Sequence, residues 1–284
     1  MTQGKHISVV IPNYNGLDLL KKNFSAVLDC LRDGDEVVVV DDASTDSSVS
    51  WLTKKYSLKK QSQMKLEGQY KNSSRTLSLR VLVNKTNLRF AKSVNKGVSA
   101  TSHDLIFLLN NDVSPYKDCL QYLLPYFHSK DVFAVAPLEH EGTKKSGKNV
   151  LWFEKGLFVH SKAKDLIAGK TAWVSGGSGL FDKSKWQELH GFDGDFSPAY
   201  WEDIDLSFRA KMKGWKVLFE PKSQVNHNHE TTNRSTFGVK KIYHMSWTNA
   251  DKFTWKNGTL SQKIRFIIWK PFWWYRRKKH LNHL

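Results

Sequence analysis

Val37-Val38-Val39-Val40-Asp41-Asp42-Ala43-Ser44-Thr45-Asp46 is the stretch on which the reading of the whole chain turns. Four consecutive β-branched residues with no polar alternation describe a strand buried on both faces, as in parallel sheets covered by helices. The acids that follow stand where ligands bind in open α/β sheets, beyond the carboxyl end of a strand. Residues 7–11, 77–83 and 105–109 are likewise short and β-branched or Leu-rich. The segments 17–31, 47–56 and 91–100 lie between these runs and are long enough for crossover helices. This order predicts a βαβα first half with a parallel sheet.

A polar cluster follows each run. Pro12-Asn13-Tyr14-Asn15-Gly16 comes after the first, the acids of 41–46 after the second, Asn84 to Asn87 after the third, and Asn110-Asn111-Asp112 after the fourth. Carboxylates at such an edge can hydrogen-bond a nucleobase or ribose, and an aspartate with an open side can hold a hard divalent cation against a diphosphate. Ser44 and Thr45 suit a helix N-cap equally well. Two adjacent aspartates at a buried strand end repel each other and need a compensating partner, which capping alone does not explain.

The remaining composition bounds the function. With 284 residues the chain can form one large α/β domain or two smaller ones. A net charge of +17 calls for an anionic partner: nucleic acid, an acidic membrane surface or a phosphorylated substrate. Cys30 and Cys119 form no C-x-x-C, which argues against a disulfide framework or structural zinc and fits a reducing cytosol. The first residues lack a signal-peptide pattern, and no window supplies the roughly 20 apolar residues of a membrane span. The nearest candidate, 264–275, is interrupted by Lys270 and Pro271. A cytoplasmic protein is therefore expected. Segments 57–76 and 139–149 are polar or rich in Gly and Lys and read as surface loops without a catalytic role. Beyond Lys170 the pattern predicts a helix over 203–213 and strands at 217–219 and 224–226.

The motifs Val9-Val10-Ile11-Pro12-Asn13-Tyr14-Asn15, Val39-Val40-Asp41-Asp42-Ala43-Ser44-Thr45-Asp46, Asn87 with Phe90-Ala91 and Asn95-Lys96-Gly97, Leu109-Asn110-Asn111-Asp112, and Trp201-Glu202-Asp203-Ile204-Asp205 occur in this order. Together they resemble family 2 of the inverting glycosyltransferases, over residues 7–230. The resemblance implies a GT-A fold, a Rossmann-like mixed sheet flanked by helices. It implies a catalytic domain over 1–232, with a nucleotide-sugar-binding half at 1–113 and an acceptor-side half at 114–232. A helical aromatic and basic extension would occupy 233–284. The implied activity is metal-dependent transfer of a hexose-like sugar from a nucleotide-diphosphate donor to a glycan or lipid-linked glycan, in surface polysaccharide or glycolipid assembly.

On that resemblance the donor site comprises Pro12, Tyr14, Asn15, Asp41, Asp42, Asn87, Arg89, Asn95, Asn110, Asn111 and Asp112. Asp112 takes the place of the second acid of the D-x-D motif and binds Mg or Mn, with His227 completing the metal shell and His229 as a competitor. Asp203, beside Glu202, takes the place of the catalytic base. Trp173, Gly176, Gly177, Trp201 and Asp205 belong to the sugar and acceptor wall. Asn110 stands where the family has the first acid of D-x-D, and Arg89 where it often has Gly. Both departures also fit a catalytically inactive nucleotide- or glycan-binding protein of the same fold, against which the acids Glu202, Asp203 and Asp205 argue.

Residues 252–284 hold nine Lys or Arg and no acid, with Trp269, Trp273, Trp274 and Tyr275 beside Arg276-Arg277-Lys278-Lys279. This composition fits a peripheral anchor on the cytoplasmic face of the cell membrane, where aromatic rings favour the headgroup zone and basic residues attract anionic lipid. It equally fits a helix pair packed on the core or on another subunit of an oligomer. No nucleic-acid-binding motif accompanies the charge.

Overall fold

The β-branched runs form the centre of a twelve-stranded mixed sheet in the computed structural model, which describes residues 5–72, 74–227 and 238–281. Strands β1 (Ile7–Asn13), β2 (Glu36–Asp41), β5 (Thr76–Val83) and β6 (Leu105–Leu109) are parallel neighbours in the order β6-β1-β2-β5. In β2 every residue is buried. Val37 and Val39 enter one core beneath helices α1 (Leu17–Cys30) and α2 (Ser48–Lys55), whereas Val38 and Val40 enter the other with α3 (Arg89–Ser99). Alternate residues thus feed opposite layers, and no polar position is left to mark the alternation in the sequence. Full burial of such a side chain contributes about 1.5–3 kcal/mol. Chemistry is left to the strand ends.

The edge beyond β5 corrects one expectation. Segment 57–76 forms β3 (Lys59–Ser62) and β4 (Lys65–Lys71), which extend the sheet antiparallel to β5. Only Leu66 and Tyr70 of β4 pack on the core, and all of β3 is exposed. Its lysines suit an edge strand that must not pair with another chain.

On the other side β13 (Ser178–Asp182) runs antiparallel to β6, followed by β8 (Val132–Glu141) and β14 (Lys216–His227). Residues 139–149 are accordingly not a loop. They contain the end of β8, the short β9 (Lys144–Ser146) paired with it, and the start of β10 (Asn149–Glu154). The two strands expected at 217–219 and 224–226 are one strand, β14, whose pairing with β8 shifts register between Glu220 and Gln224. At its end β14 pairs with β7 (Val113–Pro115), which brings His227 opposite Val113. The short β12 (Gly169–Lys170) closes that edge, and β11 (Leu157–Lys162) forms a separate hairpin with β10.

Helices α4 (Cys119–Leu123), α5 (Lys183–Glu188) and α6 (Glu202–Met212) complete the layers. Two C-terminal helices, Val239–Asn257 and Leu260–Leu281, pack on the β10–β11 hairpin and α6 through Leu157, Phe158, Trp201, Ile204, Phe253, Phe266 and Trp273. His229 lies outside the described residues.

Candidate active site

The carboxyl ends of β1, β2 and β6, the loop into α3, the turn before β13 and the start of α6 enclose a cavity of about 320 Å³. It gathers Pro12, Tyr14, Asp42, Asn87, Arg89, Asn110, Asn111, Asp112, Gly176, Gly177, Glu202, Asp203 and His227. Six of the sequence-derived residues do not line it: Asn15, Asp41, Asn95, Trp173, Trp201 and Asp205.

Each of these six has structural work nearby. Asp41 is buried, accepting from Ser44 N (3.0 Å) and Asn13 Nδ2 (3.0 Å), and Asn13 Oδ1 accepts from Asn111 Nδ2 (2.8 Å). This line of hydrogen bonds ties together the ends of three adjacent strands. A Cβ at Gly16 would lie 2.1 Å from Asn111 Nδ2, so only glycine leaves room for the line. Asn15, exposed, links the first two loops through Thr45 N (2.7 Å) and Ser44 Oγ (2.9 Å). Asn95 clasps the backbone of Phe192 by both its N–H and its carbonyl, at 2.9 and 2.8 Å. Trp173 and Trp201 are buried against His160 on the far side of the loop, and Asp205 is bound by Arg209 (2.6 Å) and Asn257 (2.9 Å).

At the donor end, Asp42 accepts from Asn84 Nδ2 (2.8 Å), Leu88 N (2.8 Å) and Arg89 N (2.9 Å). A carboxylate offers about four acceptor directions, so one remains for a ligand after the loop into α3 is fixed. Asn84 also contacts Ser93 Oγ (3.0 Å) and Lys96 Nζ (2.6 Å), which sets a positive charge behind the acid. Tyr14 is half-buried beside this edge, and the exposed Arg89 stands at its mouth with φ of 68°.

At the opposite end His227 faces two acids: Nε2 is 3.5 Å from Asp112 Oδ1 and Nδ1 is 3.3 Å from Glu139 Oε1. Burial disfavours a charged imidazole, but the hydrogen bonds and negative charge of Asp112 and Glu139 outweigh it and raise His227 to about 10. A pair of acids that holds a proton there so firmly is also suited to a cation. Glu139 is itself fixed by Ser178 Oγ (2.5 Å). Gly177 is glycine of necessity, since a Cβ would lie 2.6 Å from His227 Cε1. Among the described residues no three His, Cys, Asp or Glu side chains are grouped to hold a metal alone. Asp112 would hold a divalent cation through its hard carboxylate oxygens, and His227 would join it as a ligand on releasing that proton.

Glu202 and Asp203 open α6. A helix N-terminus favours negative charge, yet burial wins here. It raises Glu202 to about 8, helped by the neighbouring charge of Asp203. Burial also raises Asp203, but hydrogen bonds from Gly176 N (3.2 Å) and Ile204 N (2.8 Å) limit the rise to about 6. Among the described residues Glu202 Oε2 is buried without a hydrogen-bond partner. Before the acids, Tyr200 and Trp201 both adopt φ of 78°, a left-handed conformation that costs about 1–3 kcal/mol for each non-glycine residue. Asn249 offsets this strain: its Nδ2 donates to the carbonyls of Phe196 (2.9 Å), Ala199 (3.0 Å) and Tyr200 (2.9 Å).

Sequence reasoning missed Glu139 and Asn249, and it named Asn84 only as the start of the polar cluster after the third run. The apolar run 132–138 was the available signal for a strand reaching Glu139, and for Asn249 it was a polar residue sharing a helical face with Ala250 and Phe253.

The family model for Glycosyl transferase family 2 matches residues 8–189. The chain belongs to that family. A second model, Glycosyl transferase family group 2, matches residues 105–277, and so reaches into the C-terminal helices. Among curated proteins this glycosyltransferase is 23% identical over 218 residues to a poly-beta-1,6-N-acetyl-D-glucosamine synthase of Staphylococcus aureus, covering 76% of this chain and 48% of that one. It is 25% identical over 237 residues to the O-antigen chain rhamnosyltransferase RfbN of Salmonella typhimurium, covering 81% and 69%. The chain thus spans about half the length of the synthases it matches.

The fold is shared with solved glycosyltransferases of GT-A architecture. GalNAc-T7, crystallised with UDP, GalNAc and Mn2+, superposes with a TM-score of 0.62 at 16% identity over 80% of this chain and 44% of that one. The mannosyltransferase PcManGT of Pyrobaculum calidifontis, in complex with GDP-Man and Mn2+, gives 0.58 at 15% identity over 99% and 86%.

Proposed function

We propose that this family 2 glycosyltransferase moves a hexose-like sugar from a nucleotide-diphosphate donor to a hydroxyl of a glycan or lipid-linked glycan, with inversion. Surface polysaccharide or glycolipid assembly on the cytoplasmic side is its setting. The observation that carries this reading is that Asp112 with His227 and Asp203 with Glu202 line one cavity. Direct displacement needs both: a group to take the acceptor proton and, across the anomeric carbon, a place for the departing diphosphate.

Asp203 is the base. Its carboxylate takes the proton as the acceptor oxygen bonds to the anomeric carbon, while the bond from that carbon to the phosphate oxygen breaks with its electron pair. Glu202, raised to about 8, is protonated at neutral pH and suits hydrogen-bond donation to a sugar or acceptor hydroxyl, a partner its buried oxygen does not find among the described residues. Tyr14 and the open direction on Asp42 receive the base and ribose. Asp112 and a deprotonated His227 would hold Mg or Mn, which when bound would neutralise the charge that develops on the leaving diphosphate. The similarity to enzymes solved with UDP or GDP-Man and Mn2+ supports this donor class. Asn110 removes one acid from the motif, so Asp112 is the carboxylate of that motif that lines the cavity.

The test is nucleotide diphosphate release from a panel of UDP-, GDP- and dTDP-sugars, with and without Mn or Mg. Release that requires the cation and is lost in Asp112→Ala is expected. Cation-independent binding of a nucleotide sugar with no release from any donor would replace this reading by the inactive binding protein.

A further inference from the structure

The last helix, Leu260–Leu281, has two apolar faces, and the described residues cover only one. Phe266 and Trp273, seven residues apart, are buried. Trp273 Nε1 donates to the Lys155 carbonyl (2.7 Å), and Arg277 pairs with Asp251 at 2.6 and 2.8 Å. Ile264, Ile268 and Tyr275 fall on the opposite side at 3.6 residues per turn, and they are 51%, 67% and 66% exposed. Ile267 and Trp274, 59% and 63% exposed, widen the stripe. Beside it, a groove of about 750 Å³ opens between the two C-terminal helices, floored by Trp247 and Trp273 and edged by Lys270 and Lys278.

A soluble surface rarely carries so continuous an apolar stripe without a partner. The charge around it selects the partner. Residues 252–284 contain nine Lys or Arg and no acid, so a second copy brought face to face would meet like charge, whereas an anionic surface would meet its complement. Among the described residues no helix is long and apolar enough to cross a membrane. A helix with an exposed apolar face and flanking Lys and Arg lies in the plane of the headgroups.

We propose that this outer face of the last helix docks on a bilayer containing anionic lipid. The side chains of Ile264, Ile267, Ile268 and Trp274 enter the acyl boundary, and Lys278, Lys279 and Arg276 contact lipid phosphates. None of these residues lines the active-site cavity, so the proposal stands apart from the transfer reaction.

Co-sedimentation of the full chain with phosphatidylcholine vesicles, with and without phosphatidylglycerol, tests it. The chain should partition strongly only when phosphatidylglycerol is present, and less in high salt. Each basic residue near the surface is worth roughly fivefold, so K278Q/K279Q should weaken binding about 30-fold. The triple variant I264S/I267S/I268S changes only exposed positions. It should lose vesicle binding while nucleotide diphosphate release without lipid stays as in the wild type. Three results would overturn the proposal: wild type left in the supernatant with phosphatidylglycerol vesicles, undiminished binding by the serine variant, or a lipid-free dimer in sedimentation velocity that the serine substitutions dissolve.

Discussion

Asn249 Nδ2 lies 2.9 Å from the carbonyl oxygen of Tyr200, joining a helix outside the sheet to the loop that delivers Glu202 and Asp203. Because the same amide also holds Phe196 and Ala199, Asn249→Ala leaves three carbonyls without their donor and frees a strained loop. A shift of about 1 Å in a catalytic group lowers rate roughly 100-fold. We expect kcat to fall by that order while KM for the donor changes little, since Asp42 and Tyr14 are untouched. Equal loss in both parameters would contradict a role confined to this loop.

As the proposed base, Asp203 is expected to set the acid limb of the rate. With its carboxyl raised to about 6 by burial, the ionised base is lost as pH falls through that value, so kcat should decline below about pH 6. Asp203→Asn should lower transfer by roughly 100-fold to 10,000-fold and leave donor affinity, read by calorimetry, nearly unchanged. Full turnover by that variant would reject the assignment.

Glu202 links stability to pH in the opposite sense from a salt-bridged acid. Its carboxyl is raised in the fold from 4.5 to about 8. The stabilisation of the protonated form is therefore complete below about 4.5 and is lost as pH rises through about 8. Glu202→Gln cannot ionise, so its melting temperature should gain on the wild type as pH rises across that window. A constant difference between the two proteins from pH 5 to pH 8 would show that the fold does not raise the Glu202 carboxyl.

Glu139 orients His227 from behind, 3.3 Å from Nδ1, the place from which a carboxylate commonly fixes a metal-binding imidazole. Glu139→Gln should weaken Mn affinity, measured by the concentration that supports half-maximal diphosphate release, by about 10-fold to 100-fold. Nucleotide binding without metal should persist. An unchanged Mn requirement would leave Glu139 as a packing residue only.

How much of this was legible depended on which faces a segment buries. Strands β2 and β6 read clearly because two-sided burial demands unbroken apolar runs, and β1 and β5 because their Val, Ile and Leu residues dominate the segment. The hairpin β3–β4 did not, because Leu66 and Tyr70 alone face the core and the lysines around them resemble a loop. Glu139 was hidden in the same way, at the end of a strand just before Gly142 and Lys144-Lys145. In the site, motif order located the pocket, but it did not separate side chains that face a ligand from those that brace the loops. Asp41 and Asp42 are adjacent, and strand alternation sends only Asp42 to the cavity. At the C-terminus, composition placed Trp273 and Trp274 together; helix phase buries the first and exposes the second.

The Asp41–Asn13–Asn111 line also has a direction. Ser44 N and Asn13 Nδ2 both give hydrogens to Asp41, which obliges Asn13 to turn its oxygen toward Asn111 and to accept there. Asn111 must then turn its amide NH2 inward, and its own oxygen ends the line, on a residue that borders the cavity. One carboxyl group, which does not line the cavity, thereby dictates that the far end turns an acceptor outward.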